Sequence, residues 1–410
     1  MIRLANLALR GLTLVSKFLL LFFLAKFLEP DEVGLYGLIA ATIGYALYAL
    51  GLEFYNFSTR EIIGKDSRLW LGMIRDQVVL YALAYLALMP LALFVFYKGW
   101  LPWGYAAWFF LLLFLEHMAQ ELNRILVAIS EQLLASVVLF MRSGVWGLVV
   151  IVVMWLEPGA RTLSFCLGAW ALGAFLACAV AFKKLYSFDK SSLRSPIDGQ
   201  WIARGIKIAL PLLVASLAIR GIFTFDRYWV ESLSGLEVLG PYVLFVGMAM
   251  AILSFLDAGV IVFFYPRLVA SAKLDDPSVF RADMKKLTVN VIGTTLIFVL
   301  ACGLVAPIIL HWLGNPLYDE HLYLLYWLLI AISIYAFSMI PHLGLYAHGR
   351  DRHIFLSQFS AFFIFLAVAY LGQDYIGVLV IPVSMCIAFG VILAWKLIAF
   401  RLAGFSACKV

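Results

Sequence analysis

Runs of about 20 apolar residues recur along the chain, and they constrain its fold more than any other feature. A helix needs roughly 20 mostly apolar residues to cross the ~30 Å hydrocarbon core of a bilayer. Of the 410 residues, 65% are hydrophobic and only 13% are charged, whereas soluble domains are about 45–50% apolar and about 25% charged. Because no soluble core buries that much apolar surface, we expect an integral membrane protein.

About a dozen runs have the length of a transmembrane helix. They cover residues 10–28, 35–57, 73–97, 103–127, 132–155, 162–182, 206–231, 240–265, 287–313, 321–347, 353–371 and 375–399. The runs do not show the alternating ten-residue pattern of barrel strands. They predict an all-α membrane protein with about twelve transmembrane helices, six in each half of the chain.

The basic residues are distributed unevenly between the predicted loops. If the N-terminus is cytoplasmic, only Lys98 and Arg161 fall in outer loops, and most other Lys and Arg residues fall on the inner side. Cytoplasmic loops carry such an excess of Lys and Arg. We therefore expect both termini to be cytoplasmic, and we interpret the net charge of +6 as a topology signal rather than as a sign of nucleic-acid binding.

The longest polar interruption divides the chain into two halves. The predicted parts are an N-terminal lobe over residues 1–185, a cytoplasmic linker over residues 186–205 and a C-terminal lobe over residues 206–410. Near the end of the linker, Ile197, Trp201, Ile202 and Ile206 fall on one helical face. That pattern is typical of a short helix on the inner membrane surface; the alternative is a plain loop that enters the seventh span.

Cations within the predicted spans are the first candidates for function, because a charge at mid-bilayer costs about 2.5–3.5 kcal/mol on insertion scales. They are Lys17, Lys26, Arg142, Arg220 and Arg227. Such side chains face a wet cavity or a partner. Lys17 shares a helical face with Thr13 and is a cavity candidate, whereas Lys26 is close enough to the outer interface to snorkel.

The seventh span carries the clearest pattern. Ser216, Arg220, Thr224 and Arg227 fall on one helical stripe. Two guanidinium groups on one face suit a multiply charged anion, because arginine binds phosphate oxygens in bidentate fashion. The alternatives are that Arg227 snorkels outward or pairs with Asp226 or Glu231, and that Arg220 pairs with an acid on another span.

Acidic residues within spans are candidates for proton coupling. The fourth span carries Glu116, His117 and Glu121, and carboxylates in a low dielectric serve as proton relays in transporters. Alternatively, Arg142 on the fifth span neutralises Glu116 or Glu121 in a structural ion pair. Glu53 and Asp257 are further candidates, against simple pairing at the inner ends of their spans.

The sequence contains no motif of a hydrolase, a nucleotide-binding loop or a zinc enzyme. Its five cysteines are scattered, which is not typical of a disulfide framework or a metal cluster. We therefore expect no catalytic residue, no metal and no cofactor.

Several short segments, in order and spacing, resemble a known family. They are Leu28-Glu29-Pro30-Asp31-Glu32-Val33-Gly34-Leu35-Tyr36, Ala209-Leu210-Pro211, Phe225-Asp226-Arg227-Tyr228-Trp229, Gly240-Pro241-Tyr242, His311-Trp312-Leu313-Gly314 and Leu345-Tyr346-Ala347-His348-Gly349-Arg350. Together they resemble the polysaccharide-transport family of the multidrug/oligosaccharidyl-lipid/polysaccharide superfamily, whose Wzx-type members flip lipid-linked O-antigen or capsule repeat units.

The resemblance implies two six-helix lobes around a central cavity in the bacterial inner membrane. It also implies a substrate of oligosaccharide on undecaprenyl diphosphate, a proton or sodium gradient as the driving force, and a polysaccharide polymerase as a possible partner. On this hypothesis Lys17, Arg220 and Arg227, with Arg142, hold the diphosphate while the lobes alternate in access. The polyprenyl tail remains among the membrane lipids.

Two other functions stay open on the sequence. A multidrug exporter of the same superfamily would be expected to carry acids in its first span for cationic drugs, yet this span carries Lys17 and Lys26. A non-transporting membrane scaffold would give no reason to keep uncompensated cations at depth. Finding each intramembrane cation in a salt bridge would favour the scaffold.

Overall fold

The structure is a computed structural model that describes residues 2–274 and 277–403. The last residues of the predicted C-terminal lobe, 404–410, lie outside the described residues. Of the described residues, 91% are helical, and these residues contain no β-strand. The all-α expectation is confirmed.

The first part of the chain forms eight helices. They are α1 (Ile2–Phe27), α2 (Pro30–Gly51), α3 (Tyr55–Ile63), α4 (Ser67–Tyr97), α5 (Ala106–Ala128), α6 (Gln132–Phe140), α7 (Trp146–Leu156) and α8 (Leu163–Tyr186). A π-helical turn, Met141–Val145, joins α6 to α7, so that these three segments make one continuous span.

Within the described residues, the second part forms seven α-helices. They are α9 (Gly199–Leu256), α10 (Val262–Ser271), α11 (Pro277–Leu313), α12 (Pro316–Glu320), α13 (Leu322–Ala347), α14 (Asp351–Ile376) and α15 (Val380–Leu402). A second π-helical turn, Asp257–Ile261, continues α9 into α10.

Length and hydropathy alone identify nine segments in the described residues that could cross a membrane. Two of them, Gly199–Ser271 and Asp351–Leu402, are each long enough to hold two spans. The polar helix α5 is not among the nine, because it carries Glu116, Glu121 and Arg124 within its apolar run. With these allowances every predicted span coincides with a helix, and the expectation of about twelve transmembrane helices is confirmed.

Gly235 separates the seventh span from the eighth. Helical geometry continues on both sides, but Gly235 itself has φ 78° and ψ 176°. A positive φ of this kind is readily adopted only by glycine. The break falls between the predicted spans 206–231 and 240–265, which explains how one long helical segment supplies two membrane crossings.

The chain forms two compact units, residues 1–217 and 218–410. In the N-terminal unit, α5 packs against α8, α2 and α6, and α1 packs against α6 and α7. In the C-terminal unit, α15 packs against both α13 and α14, and α11 packs against α13. The boundary between the units lies within α9, downstream of the polar linker.

The linker before α9 is bound to the start of α4. The Arg75 guanidinium donates hydrogen bonds to the backbone carbonyls of Leu193 (2.9 Å), Ser195 and Pro196 (3.0 Å). Asp76 accepts a hydrogen bond from the backbone N–H of Asp198 at 3.2 Å. The segment is therefore held by side chains of the N-terminal unit.

The apolar face of the same segment packs against protein. Trp201 is only 5% exposed and contacts Phe54 and Phe57, with ring centroids 5.2 and 5.3 Å apart. Ile202 and Ile206 lie against the same cluster. This face therefore contributes to the hydrophobic core of the N-terminal unit.

The close approach of α8 to the α6–α7 span gives a test of packing. A Cβ added to Gly173 would lie 2.8 Å from Cδ1 of Trp146 and 2.9 Å from the carbonyl oxygen of Met141. We expect Gly173→Ala to lower the free energy of unfolding by about 1–3 kcal/mol, because overpacking displaces backbone. Gly168→Ala on the same helix is the matched control, because its Cβ would lie 3.4 Å from Trp108. Equal melting temperatures of the two variants in detergent would contradict the packing.

Candidate substrate and coupling residues

Glu116, on α5, lies at the centre of a buried polar network. Arg142 donates from Nε to Glu116 Oε2 at 2.6 Å and pairs with the same oxygen through Nη2 at 2.6 Å. Nη2 also donates to Gln120 Oε1 at 3.0 Å, and Trp170 donates from Nε1 to Glu116 Oε1 at 2.7 Å. Both carboxylate oxygens are thus occupied. The ion pair between the fourth and fifth spans, one of the two alternatives from the sequence, is present.

Glu121 forms a second network one turn further along α5. Its Oε2 accepts hydrogen bonds from Tyr81 Oη at 2.6 Å and from Gln77 Nε2 at 3.0 Å, while its Oε1 pairs with Arg124. The Arg124 guanidinium lies 3.7 Å from the centroid of the Tyr55 ring. The arginine is therefore neutralised on one side and covered by an aromatic face on the other.

His117 lies between these two carboxylates and is fully buried. Its ring packs at 4.8 Å from Tyr81 and 5.5 Å from Tyr85, measured between centroids. Neither ring nitrogen has a hydrogen-bond partner among the residues that the structure describes. Gly51 of α2 packs against this cluster: a Cβ added to it would lie 3.5 Å from Glu121 Oε1 and 3.7 Å from His117 Nε2. His117 and Glu121 therefore share one enclosed site. An imidazole beside a carboxylate can exchange a proton.

Sequence reasoning did not single out Tyr81, Gln77 or Trp170. Gln77 stands out only as a polar residue within an apolar run, and Tyr81 follows it by one helical turn. This i, i+4 spacing of two polar side chains is the sequence signal that could have indicated a polar partner for the fourth span. In the structure, Gln77 Nε2 donates a hydrogen bond to Tyr81 Oη at 2.6 Å.

Both π-helical turns contain an intramembrane charge. Arg142 lies in Met141–Val145, and Asp257 opens Asp257–Ile261. In the first turn, the carbonyl of Arg142 accepts a hydrogen bond from Trp146 Nε1 at 2.9 Å. π-Helical turns occur frequently at functional sites because they redirect side chains within a helix.

The first span presents two different faces to its surroundings. Thr13 is 5% exposed and Ser16 is fully buried; Ser16 donates a hydrogen bond to the carbonyl of Gly144. Lys17, by contrast, is exposed, and it lies within electrostatic range of Arg142 and Glu116. Lys26 is exposed in the last turn of α1.

The predicted stripe on the seventh span is divided in the same way. Arg220 is exposed, whereas Thr224 is only 6% exposed. Arg220 lies within electrostatic range of Tyr335 on α13. Arg220 is thus accessible, whereas the threonine that the sequence assigns to the same site is buried.

Arg227 pairs with its neighbour Asp226, which was one of the alternatives left open by the sequence. Nη1 of Arg227 lies 3.2 Å from Oδ1 of Asp226, and the backbone N–H of Arg227 donates to the same oxygen at 2.7 Å. Tyr242 donates from Oη to the other oxygen, Oδ2, at 2.9 Å. Asp226 has no exposed surface, so its charge is balanced by Arg227.

The remaining two acidic candidates lie outside α5, but Glu53 is within electrostatic range of Tyr55, whose ring covers Arg124. Glu53 falls in the turn between α2 and α3, with φ 54°, and its Oε2 accepts a hydrogen bond from Asn56 at 2.7 Å. It is 5% exposed. Asp257 is exposed in its π-helical turn.

Comparison with known proteins gives a consistent fold. No family model and no curated protein sequence matches the chain. An inward-facing multidrug resistance MATE family transporter of the MOP superfamily matches with TM-score 0.80 and 13% identity over 99% of both chains. An outward-facing transporter of the same description matches with TM-score 0.60 and 16% identity over 97% of this chain and 95% of that one. A MATE transporter of Vibrio cholerae matches with TM-score 0.57 and 12% identity over 98% of both chains. The chain therefore has the all-α membrane fold of MATE transporters of the MOP superfamily.

Proposed function

We propose that the chain is a multi-pass transporter that flips an oligosaccharide linked to undecaprenyl diphosphate across the bacterial cytoplasmic membrane. Both termini lie in the cytoplasm, and a polysaccharide polymerase is the expected next user of the product. The observation that carries the proposal is the exposure of Lys17 on α1 and of Arg220 on α9. Each is a cation within an apolar, membrane-spanning helix.

An exposed cation within a membrane-spanning helix is accessible to a bound anion or to water, either of which lowers the cost of keeping a charge at that depth. A lipid diphosphate carries several negative oxygens, and both ammonium and guanidinium groups bind phosphate strongly. The fold supports a transport function, and the positive charges of Lys17 and Arg220 support an anionic lipid as the substrate.

The acids of the N-terminal unit are the proposed link to a proton or sodium gradient. Glu121 and His117 share an enclosed site, and Glu116 is held by Arg142. Glu53 and Asp257 stay predicted coupling residues. Lys26, Thr224, Arg142 and Arg227 likewise stay predictions for substrate binding, and the decisive test concerns Lys17 and Arg220.

The proposal is tested with purified protein in liposomes that contain a fluorescent oligosaccharide on undecaprenyl diphosphate. Flipping is measured as loss of fluorescence to a membrane-impermeant quencher. We expect Arg220→Ala and Lys17→Ala each to slow flipping by about 10- to 100-fold, the equivalent of a lost charge-assisted hydrogen bond of roughly 1.5–3 kcal/mol. Arg220→Lys should keep part of the rate.

The matched control is Lys285→Ala, which removes an exposed cation near the start of α11. It should flip the lipid at the wild-type rate. Wild-type rates for the Lys17, Arg220 double variant would reject the proposed role of these two cations in binding the anion, and an inactive wild type would favour a scaffold.

A multidrug exporter is the second candidate, because the structural neighbours are MATE transporters, and two of the three named above are described as multidrug resistance transporters. Binding of a cationic drug would need an available carboxylate; Glu116 is paired with Arg142 and Glu121 with Arg124, which leaves Asp257, exposed in its π-helical turn, as the candidate. Transport of a cationic dye by the same liposomes, unaffected by Arg220→Ala, would favour the exporter over the flippase.

A further inference from the structure

Lys396, on α15, has no exposed surface. Its position in the sequence places it among the cations at the cytoplasmic ends of helices, where water would solvate it. The structure corrects this, because Lys396 lies two turns before the end of α15 and packs inside the C-terminal unit. Lysine is almost never fully buried unless it is paired.

The partner of Lys396 is a histidine rather than an acid. Its Nζ lies 3.1 Å from Nδ1 of His342 on α13. In the part of the chain that the structure describes, no carboxylate forms an ion pair with Lys396, and the only electrostatic partner of His342 is Lys396. The pair therefore stands in the unit without a counter-ion from the described residues.

Helices α13 and α14 pack against α15, and α10 and α11 pack against α13. The other titratable or charged side chains of these five helices are Tyr265, Arg267, Arg281, Asp283, Lys285, Lys286, Cys302, His311, Tyr323, Tyr326, Tyr335, Tyr346, Asp351, Arg352, His353, Tyr370, Asp374, Tyr375, Cys386 and Arg401. Of the charged members, Arg267, Lys285, Lys286, Asp351, Arg352, Asp374 and Arg401 are exposed. In the described residues no ion pair joins any of the set to Lys396 or His342. Leu345 and Ala399, each three residues beyond a member of the pair, belong to one apolar cluster with Ile354.

The geometry limits how many protons the pair can hold. A hydrogen bond between two nitrogens needs one N–H donor and one lone pair. The ammonium of Lys396 can donate to a neutral imidazole, or a neutral amine can accept from the imidazole N–H. Two positive groups at 3.1 Å in an apolar interior would repel each other strongly, so that the pair holds one excess proton at most.

We propose that Lys396 and His342 form a proton-binding site of the C-terminal unit, which takes up and releases one proton. A buried charge with no counter-ion is held weakly, and the shared hydrogen bond gives the proton a second nitrogen to move to. The proton site itself does not depend on the proposed function; its role in coupling transport to a proton gradient does.

The first test counts protons on the purified protein in detergent. The sample is titrated in weakly buffered solution between pH 9 and pH 5.5. We expect the wild type to take up one proton more than the double variant Lys396→Met, His342→Gln. The matched control is Lys184→Met, which removes a partly exposed lysine paired with Glu131 and should leave the count unchanged. An equal count in wild type and double variant would overturn the site.

The second test does not need the double variant to fold. Nitrogen-15 NMR of histidine-labelled wild type, with His342 assigned by His342→Gln, reports the state of Nδ1. We expect Nδ1 of His342 to change between acceptor and donor as the pH falls, and this change to be absent in Lys396→Met. A resonance that is constant across the range would contradict the proposal.

The link to transport is tested separately, in the flipping assay with and without a proton gradient. Lys396→Arg keeps the charge but cannot release its proton at these pH values. We expect it to lose the stimulation by the gradient while it keeps flipping without one. Full stimulation of Lys396→Arg by the gradient would show that the Lys396–His342 site does not couple transport to protons. Failure of the wild type to flip the lipid would reject the proposed function but would not affect the result of the proton titration.

Discussion

Replacing Arg142 with methionine is expected to destabilise the N-terminal unit by about 3–5 kcal/mol, the cost of leaving a buried carboxylate without its cation. Glu116 would keep only the hydrogen bond from Trp170, on a side chain that is 6% exposed. The change is measured as the shift in melting temperature and in the midpoint of detergent-denaturant unfolding. It should be among the largest effects of any single substitution in this unit.

The double variant Glu116→Met, Arg142→Met distinguishes the loss of the ion pair from the cost of leaving one buried charge unpaired. Replacement of both members of a buried ion pair by apolar residues is often neutral or stabilising, so stability should return towards that of wild type. Arg401→Met, at the exposed end of α15, is the control for loss of an arginine alone. A stable Arg142→Met variant would mean that Glu116 is neutral and that the network is held by hydrogen bonds rather than by charge.

The order of helices could be predicted from the sequence because a bilayer leaves little choice. Every backbone N–H and C=O within lipid must be bonded inside its own segment, so an apolar run of sufficient length becomes a helix. Even α5, with Glu116 and Glu121 in its run, follows this rule, because partners on the same and other helices compensate its charges. The boundary at Gly235 likewise agrees with the predicted gap between two spans.

The rotation of each helix about its axis could not be predicted in the same way. Thr13 and Lys17 share a face by spacing, as do Arg220 and Thr224, yet in each pair the threonine is buried and the cation is exposed. Residues four apart differ by about 40° around a helix, which is enough to separate a packed edge from an open one. Where that edge falls depends on neighbours that are distant in sequence, such as Gly144, whose added Cβ would lie 3.2 Å from Cα of Thr13.

Ion-pair partners could be predicted where few opposite charges lay within reach of a side chain. Arg142 had only Glu116 or Glu121 within plausible reach, and it pairs with the former. The hydrogen bonds of Trp170 to Glu116 and of Tyr81 to Glu121 could not be foreseen, because an aromatic residue in an apolar run carries no sign that its polar atom is used. The pairing of Lys396 with His342 was hidden for a related reason: a lysine near a helix end normally reaches solvent.

Replacing Arg227 with methionine is expected to cost the C-terminal unit about 3–5 kcal/mol. Asp226 has no exposed surface, and without Arg227 it would keep only the hydroxyl of Tyr242 and one backbone amide. Arg220→Ala should cost far less, because that side chain is exposed. The two variants are compared by melting temperature in the same detergent.

The double variant Asp226→Asn, Arg227→Met decides between the two roles that the sequence left open for Arg227. If the arginine serves to balance Asp226, stability returns and the lipid is flipped at close to the wild-type rate. We expect this result, because Arg227 directs Nη1 at Asp226 and at the carbonyl of Phe223. A stable double variant that does not flip the lipid would instead assign Arg227 to the diphosphate, and the ion pair would then be the resting state of a binding residue. Either result bears on Arg220, since an anion site on α9 with one arginine holds the substrate by a single guanidinium fork, whereas a site with two can hold both phosphates.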